Sequence, residues 1–298
     1  MPQLQTHLVK LFLKHTVGKK TYNRKRTSQH RSDFERDMAL LFPTFYKHTI
    51  TYTRVDGVKV AHITVPESTD RTIIYLHGGG FVFGSSKTHK DFMVRLAKLC
   101  KAKVVAIDYS LAPESPYPKA LNEIQKVWAK LPSMGVDLAK TALIGDSAGA
   151  NLAIASSLIL RDKKRSQPAC LVLLSPPLDA TFSGKSYTKN RSKDIVLTRA
   201  TLDFFTDSYA EGQPKTDPLL SPVFAKTHNL PPTLIHVGSD ELLLSESKQF
   251  YKKLLHDGNG VTLYVAPGMW HGWHFFARIV PEAKTALRMI SDFVTSKT

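Results

Sequence analysis

Cysteine is scarce in this chain of 298 residues, which has only Cys100 and Cys170. Cys100 follows a helical run and Cys170 directly precedes Leu171-Val172-Leu173-Leu174. Both read as reduced core thiols, not a disulfide framework, which suits a cytoplasmic protein. Long hydrophobic runs are lacking too: no window approaches the ~18 uninterrupted apolar residues of a membrane span. The N-terminal stretch Leu8-Val9-Lys10-Leu11-Phe12-Leu13 is interrupted by lysine, and no small-residue cleavage site follows it, which speaks against a signal peptide. No stable membrane insertion is expected. Histidines and cysteines with zinc spacing are absent, and His77-Gly78-Gly79-Gly80 lacks the lysine of a phosphate-cradling loop. Neither a metal nor a cofactor is expected.

Acidic residues are in short supply: 25 Asp and Glu face 41 Lys and Arg, a formal charge of +16 at pH 7. Such a balance can mark a partner of nucleic acids or membrane surfaces. The basic residues are spread along the chain, however, with one concentration at Lys19, Lys20, Arg24, Lys25, Arg26 and Arg31. No nucleic-acid motif accompanies them, so the expectation is a basic protein without a nucleic-acid partner.

What is present is a core-forming pattern. With 42% hydrophobic residues the chain can bury one large α/β domain. The first forty-odd residues look helical, and Leu4, Leu8, Leu11 and Phe12 form an apolar stripe with Lys10 and Lys14 beside it. Such a helix can lie on a membrane, but packing of the stripe on the parent domain is the expected outcome. Asp56-Gly57 between Thr49–Arg54 and Val58–Val65 signals a hairpin. From residue 71 onward, short β-branched runs (Thr72–Leu76, Lys103–Ile107, Thr141–Ile144, Cys170–Leu174, Thr233–Val237, Val261–Val265) alternate with helical patterns and a final helix over Pro281–Val294. This alternation predicts a mostly parallel central sheet with helices on both faces. Residues 180–216 break the rhythm and read as a lid or binding insertion, with a helical pattern near Leu202–Tyr209.

The chemistry centres on Gly145-Asp146-Ser147-Ala148-Gly149 between the run Ala142-Leu143-Ile144 and a helical segment. A serine on such a strand-turn-helix elbow is forced out with its hydroxyl exposed, while the following helix aims its amides at a nascent anion. A serine hydroxyl is a weak nucleophile and needs a base, an orienter for that base, and oxyanion donors. Gly78, Gly79 and Gly80 end a strand and can turn backbone amides toward the reacting carbon, with Ala148 completing the set. His77 reads as a hydrogen-bonding scaffold for that loop. Asp240, first in Asp240-Glu241 after Thr233–Val237, is expected to be the orienting acid, with Glu241 as the alternative. His271, flanked by Gly272 after the last strand, is expected to be the base ahead of His274. The order Ser147, Asp240, His271 is that of α/β-hydrolases.

These residues, with Asp108-Tyr109-Ser110-Leu111-Ala112-Pro113-Glu114 and His271-Gly272-Trp273, resemble the hormone-sensitive-lipase-like branch of the α/β-hydrolases in its small microbial esterase form. The match runs from about residue 70 to the end. It implies an α/β-hydrolase fold that cleaves short- to medium-chain carboxylic esters through an acyl-enzyme on Ser147, without cofactor. It also implies a helical cap over the acyl pocket, built from residues 1–45 and 180–216 over a catalytic domain of residues 46–179 and 217–298. Asp146 and Glu114 are candidate supporting carboxylates. Ser110 stands where arginine is common, which would loosen an ion pair around Glu114, and Trp273 stands where phenylalanine is common. The partner implied is a small-molecule ester, and an exposed last strand would permit a homodimer. Two other readings share the fold: a non-catalytic small-molecule binder, which a complete triad disfavours, and an amidase or thioesterase using the same triad. A third class, an interaction protein using its basic N-terminal region on membranes or acidic partners, is the remaining alternative.

Overall fold

The computed structural model describes residues 4–16 and 20–298; Lys19 of the basic concentration lies outside the described residues. Two helices open the chain, α1 (Leu4–Thr16) and α2 (Thr27–Leu41). Asp56 and Gly57 both adopt positive φ, 47° and 85°, the pair that a two-residue hairpin turn with the right twist requires. They join β1 (Thr49–Val55) to β2 (Val58–Thr64) in the register Val55 opposite Val58.

The βα alternation then follows the sequence pattern: β3 (Thr72–Leu76), α3 (Lys90–Cys100), β4 (Lys103–Asp108), α4 (Lys119–Lys130), β5 (Thr141–Asp146), α5 (Ala148–Asp162) and β6 (Cys170–Leu174). After the insertion, with α6 (Ser186–Lys189) and α7 (Arg199–Ala210), come β7 (Thr233–Gly238), α8 (Leu244–His256), β8 (Val261–Ala266) and α9 (Pro281–Lys297). Among the described residues the sheet has eight strands in the order β1-β2-β4-β3-β5-β6-β7-β8, antiparallel at the β1/β2/β4 end and parallel elsewhere.

Strand alternation sorts the core into two layers. Ile74, Leu76, Leu143, Leu171 and Leu173 point to one face, where Leu121, Ile124 and Val127 of α4 and Leu152 and Leu158 of α5 cover them. Ile73, Tyr75, Ala142, Ile144 and Val172 point to the other, covered by Phe92, Leu96 and Ala97 of α3 and Leu287, Ile290 and Val294 of α9. Because both faces are covered, the central strands β3, β5 and β6 are buried along their whole length, as their unbroken apolar runs require. Cys100 and Cys170 are free and buried in the second layer. The chain runs from β3 to β4 on one side and then to β5 on the other, so the crevice of the sheet lies at the carboxyl ends of β3 and β5.

One expectation reverses. α1 does pack on the domain, but through Val9 and Leu13, buried in a cluster with Ile195, Met269, Trp270 and Trp273, and through buried Thr6, which donates to Glu282 of α9. The stripe of Leu4, Leu8, Leu11 and Phe12 is exposed. The anchor explains the rotation. Lys10 pairs with Asp240 and also donates to the Gly268 carbonyl, which turns the neighbouring face of the helix inward.

Candidate active site

At the end of β5 the chain must turn within one residue into α5. Ser147 makes that turn at φ 50° and ψ −123°, a strained conformation for a residue with a side chain, and its amide donates to the Leu174 carbonyl at 2.8 Å. Neighbouring backbone crowds the turn. A Cβ on Gly149 would lie 1.9 Å from the Leu76 carbonyl oxygen, and one on Gly145 would lie 2.2 Å from the Gly149 carbonyl oxygen. The G-x-S-x-G spacing is therefore a steric requirement of the elbow.

His271 follows β8 and reaches back over the sheet, its Nε2 at 2.9 Å from Ser147 Oγ. Its Nδ1 lies 3.0 Å from Glu241 Oε2. The acid on the imidazole is thus Glu241, and the expectation of Asp240 in that place is overturned. The turn after β7 explains why. Glu241 N–H donates to the Gly238 carbonyl, closing a β-turn with Ser239 and Asp240 at its corners. The corner turns Asp240 toward Lys10 and returns the chain at Glu241, underneath His271. Glu241 is fully buried, and its other oxygen accepts from Ser175 Oγ at 2.7 Å and from the Gly238 amide at 2.5 Å. His274 is buried instead against Trp273 and His236, where burial and the neighbouring histidines push its pKa well down.

Burial works against a charged imidazole at His271, but the hydrogen bond and charge of Glu241 outweigh it and raise the pKa above 6.5. The surroundings of His271 thus favour its protonated form. Asp194 adds a second carboxylate nearby, its own pKa raised to about 6 chiefly by burial.

The glycine loop after β3 divides its amides. Gly78 donates to Asp146 Oδ1 at 2.9 Å, so this amide is committed and Gly78 does not join the free donors. Gly79 and Gly80, at φ 118° and 62°, carry the turn, and the Ala148 amide opens α5 with no helical carbonyl behind it. Asp146 ties this loop to the elbow: it also accepts from Tyr75 Oη at 2.6 Å and faces His89 at 3.4 Å. Burial opposes its charge, yet His89, Tyr75 and His77 hold its carboxyl below the usual range. His77 stacks on Tyr109 at 4.2 Å and its Nδ1 contacts the Gly78 carbonyl at 2.9 Å; burial lowers its pKa to about 4, which suits a scaffold and not a base. Glu114 stands apart from the reacting groups. It is exposed and accepts a two-pronged bond from Arg31 of α2 at 2.6 and 3.0 Å, so the N-terminal segment supplies the cation that Ser110 does not. Ser110 Oγ itself donates to Glu123 Oε1 at 2.7 Å.

Two residues of the insertion carry no signal of a place at the site and join it only in three dimensions. Asn190 Nδ2 donates to the carbonyls of Ser239 at 3.0 Å and Glu241 at 2.8 Å. Asp194 accepts from the Leu242 amide at 2.9 Å and from Val196 and Leu197 on its own side. A cavity of about 50 Å³ opens beside Ser147, walled by Phe182, Leu197, Leu202, Phe205, Tyr209 and Leu220.

A serine, an imidazole and a buried carboxylate in one hydrogen-bonded line are the arrangement that acyl transfer requires. The α/β hydrolase fold family matches residues 73–275. Over its whole length the chain superposes on an esterase from the bacterial hormone-sensitive lipase family with a TM-score of 0.94 at 30% identity, covering 99% of that structure. The chain belongs to the hormone-sensitive-lipase-like α/β hydrolases. This hydrolase is also 38% identical to an esterase of Acinetobacter venetianus across 86% of its own length and 85% of the relative's. It is 35% identical to an acetyl-hydrolase of Streptomyces hygroscopicus, covering 82% and 83% of the two chains. An ethyl acetate hydrolase of Pseudomonas putida shares 29% identity over 76% of this hydrolase and 73% of its own length.

Proposed function

We propose that this hydrolase, a serine carboxylesterase, cleaves esters of short acyl chains, with Ser147 as nucleophile, His271 as base and Glu241 as the acid that orients it. The 2.9 Å contact between His271 Nε2 and Ser147 Oγ, with Glu241 on the opposite ring nitrogen, carries this reading. Ser147 Oγ attacks the acyl carbon as its proton passes to His271 Nε2, while Glu241 holds Nδ1–H and balances the new charge. The amides of Gly79, Gly80 and Ala148 receive the oxyanion. The alcohol leaves with the proton from His271, and water, activated by the same imidazole, releases the acid from Ser147.

Apolar walls and a small cavity favour acetyl to butyryl chains over longer ones. The relatives named acetyl-hydrolase and ethyl acetate hydrolase point the same way. We read residues 1–45 and 180–216 as the cap. Phe205 presses on Gly80, Tyr209 stacks on Phe81 at 3.9 Å, and Tyr22 of the N-terminal segment packs on Phe204 and Phe205. Buried free thiols fit a reducing, cytoplasmic compartment. The outer edge of β8 would pair two copies into a homodimer, which sedimentation velocity would test. The functional test is hydrolysis of p-nitrophenyl acetate, butyrate and octanoate by the wild type and Ser147→Ala. Loss of turnover in the variant and a preference for the shorter esters are expected; wild-type turnover in Ser147→Ala would overturn the assignment.

A further inference from the structure

α1 has two apolar faces, and only one is used by the fold. Thr6, Val9 and Leu13 are buried against the domain. On the opposite side Leu4, Leu8, Leu11 and Phe12 are 75%, 60%, 57% and 51% exposed. At 100° per residue these four fall within an arc of about 100°, a continuous strip along the helix. No pattern of the fold requires such a strip to face water, and four large apolar side chains on one exposed helix face mark an interaction surface.

The charge around the strip says what would cover it. Residues 1–32 contain no aspartate or glutamate, against eight lysines and arginines. Lys14 lies on α1 itself, and Lys25 and Arg26 follow it; all three are exposed, with no ion pair found for them among the described residues. A second copy of the chain would bring an equally cationic segment against this one, so self-pairing is opposed by like charge. An apolar strip with Lys14 beside it on the same helix, in a segment without carboxylates, complements acyl chains beneath anionic headgroups.

We propose that the outward face of α1 docks this hydrolase on an anionic lipid surface, the helix lying in the interface without crossing it. The inner face of the same helix packs on Trp270 and Trp273, either side of His271, so docking holds the catalytic loop close to the lipid. Esters dissolved in the bilayer would then meet the site without leaving the membrane surface. This proposal does not depend on the catalytic assignment, since it concerns where the protein resides.

Cosedimentation with vesicles tests it directly, using phosphatidylglycerol–phosphatidylcholine vesicles beside pure phosphatidylcholine ones. The wild type and Ser147→Ala are expected to partition equally onto the anionic vesicles and weakly onto the neutral ones. The double variant Leu8→Gln/Phe12→Gln is expected to lose about tenfold or more of that partitioning, while hydrolysing soluble p-nitrophenyl acetate as the wild type does. Thermal melts would verify its fold, and Lys14→Glu/Lys25→Glu provides an independent pair on the charged flank. Partitioning of Leu8→Gln/Phe12→Gln equal to that of the wild type would leave net charge alone as the cause and overturn the proposal. So would equal retention on neutral vesicles, no retention at all, or a lipid-free dimer that the double variant abolishes.

Discussion

The elbow at Ser147 and the turn at Glu241 lie at the same end of one sheet, but they are held in different ways. The elbow is held by its own backbone: Gly145 and Gly149 leave no room for a side chain, and Ser147 N–H bonds to the next strand. The acid turn is held partly from outside. Asn190 and Asp194 of the insertion grip its backbone, Ser186 Oγ bonds the Leu242 carbonyl, and Lys10 of α1 takes Asp240. A local motif thus places the nucleophile, whereas residues remote in sequence place the acid. The insertion and α1 thus contact the frame of the Glu241 turn directly.

The largest effect is expected at the elbow: Ser147→Ala should lower kcat by about 10⁴-fold or more, measured on p-nitrophenyl acetate, with folding unchanged. Glu241→Ala should follow at about 10³–10⁴-fold, because the imidazole loses both its tautomer control and its counter-charge. If the two loops were held alike, changes in the insertion would not reach catalysis. Asn190→Ala is expected to lower kcat/KM by about tenfold and stability by ~1–3 kcal/mol, since it strands the buried Glu241 carbonyl and the part-buried Ser239 carbonyl, with thermal melts reading the second effect.

The pH profile sharpens the comparison further. The proposed role of His271 as base needs its neutral form, and Glu241 raises the pKa of the ring. The rise of kcat/KM with pH should therefore have its midpoint above 6.5, and Glu241→Gln should move that midpoint down. A midpoint unmoved by Glu241→Gln would remove Glu241 from the imidazole. The smallest effect belongs to Asp240→Asn, expected within about threefold of wild-type activity and within ~1 kcal/mol of its stability, as for a partly exposed ion pair. A loss there as large as in Glu241→Ala would restore Asp240 to the site.

Most of the fold was legible because its signals are local. Continuous apolar runs such as Cys170–Leu174 specify strands covered on both faces, Asp56-Gly57 specifies a hairpin, and the helical spacing of Leu121, Ile124 and Val127 matches the face that α4 buries. The elbow at Ser147 was legible for the same reason, as were the position of His271 after the last strand and the glycine turn after β3. Gly78 was not separable from its neighbours, because only the contact with Asp146 reveals that its amide is committed. Glu114 likewise resembled a site carboxylate until Arg31 showed it to be a tether for α2.

By itself the sequence determined the parallel sheet, the serine elbow and the chain order of serine, carboxylate and histidine, since strand period, glycine sterics and chain order are properties of short segments. Only the tertiary structure decided between Asp240 and Glu241, adjacent carboxylates equally able to orient an imidazole. The β-turn between Gly238 and Glu241 aims one at Lys10 and the other at His271. It likewise decided which face of α1 is buried, because both carry apolar residues and only the partner surface at Trp270 and Trp273 distinguishes them. Side-chain direction at a turn, and the choice between two similar faces, depend on what the rest of the chain presents to them, and no local pattern carries that information.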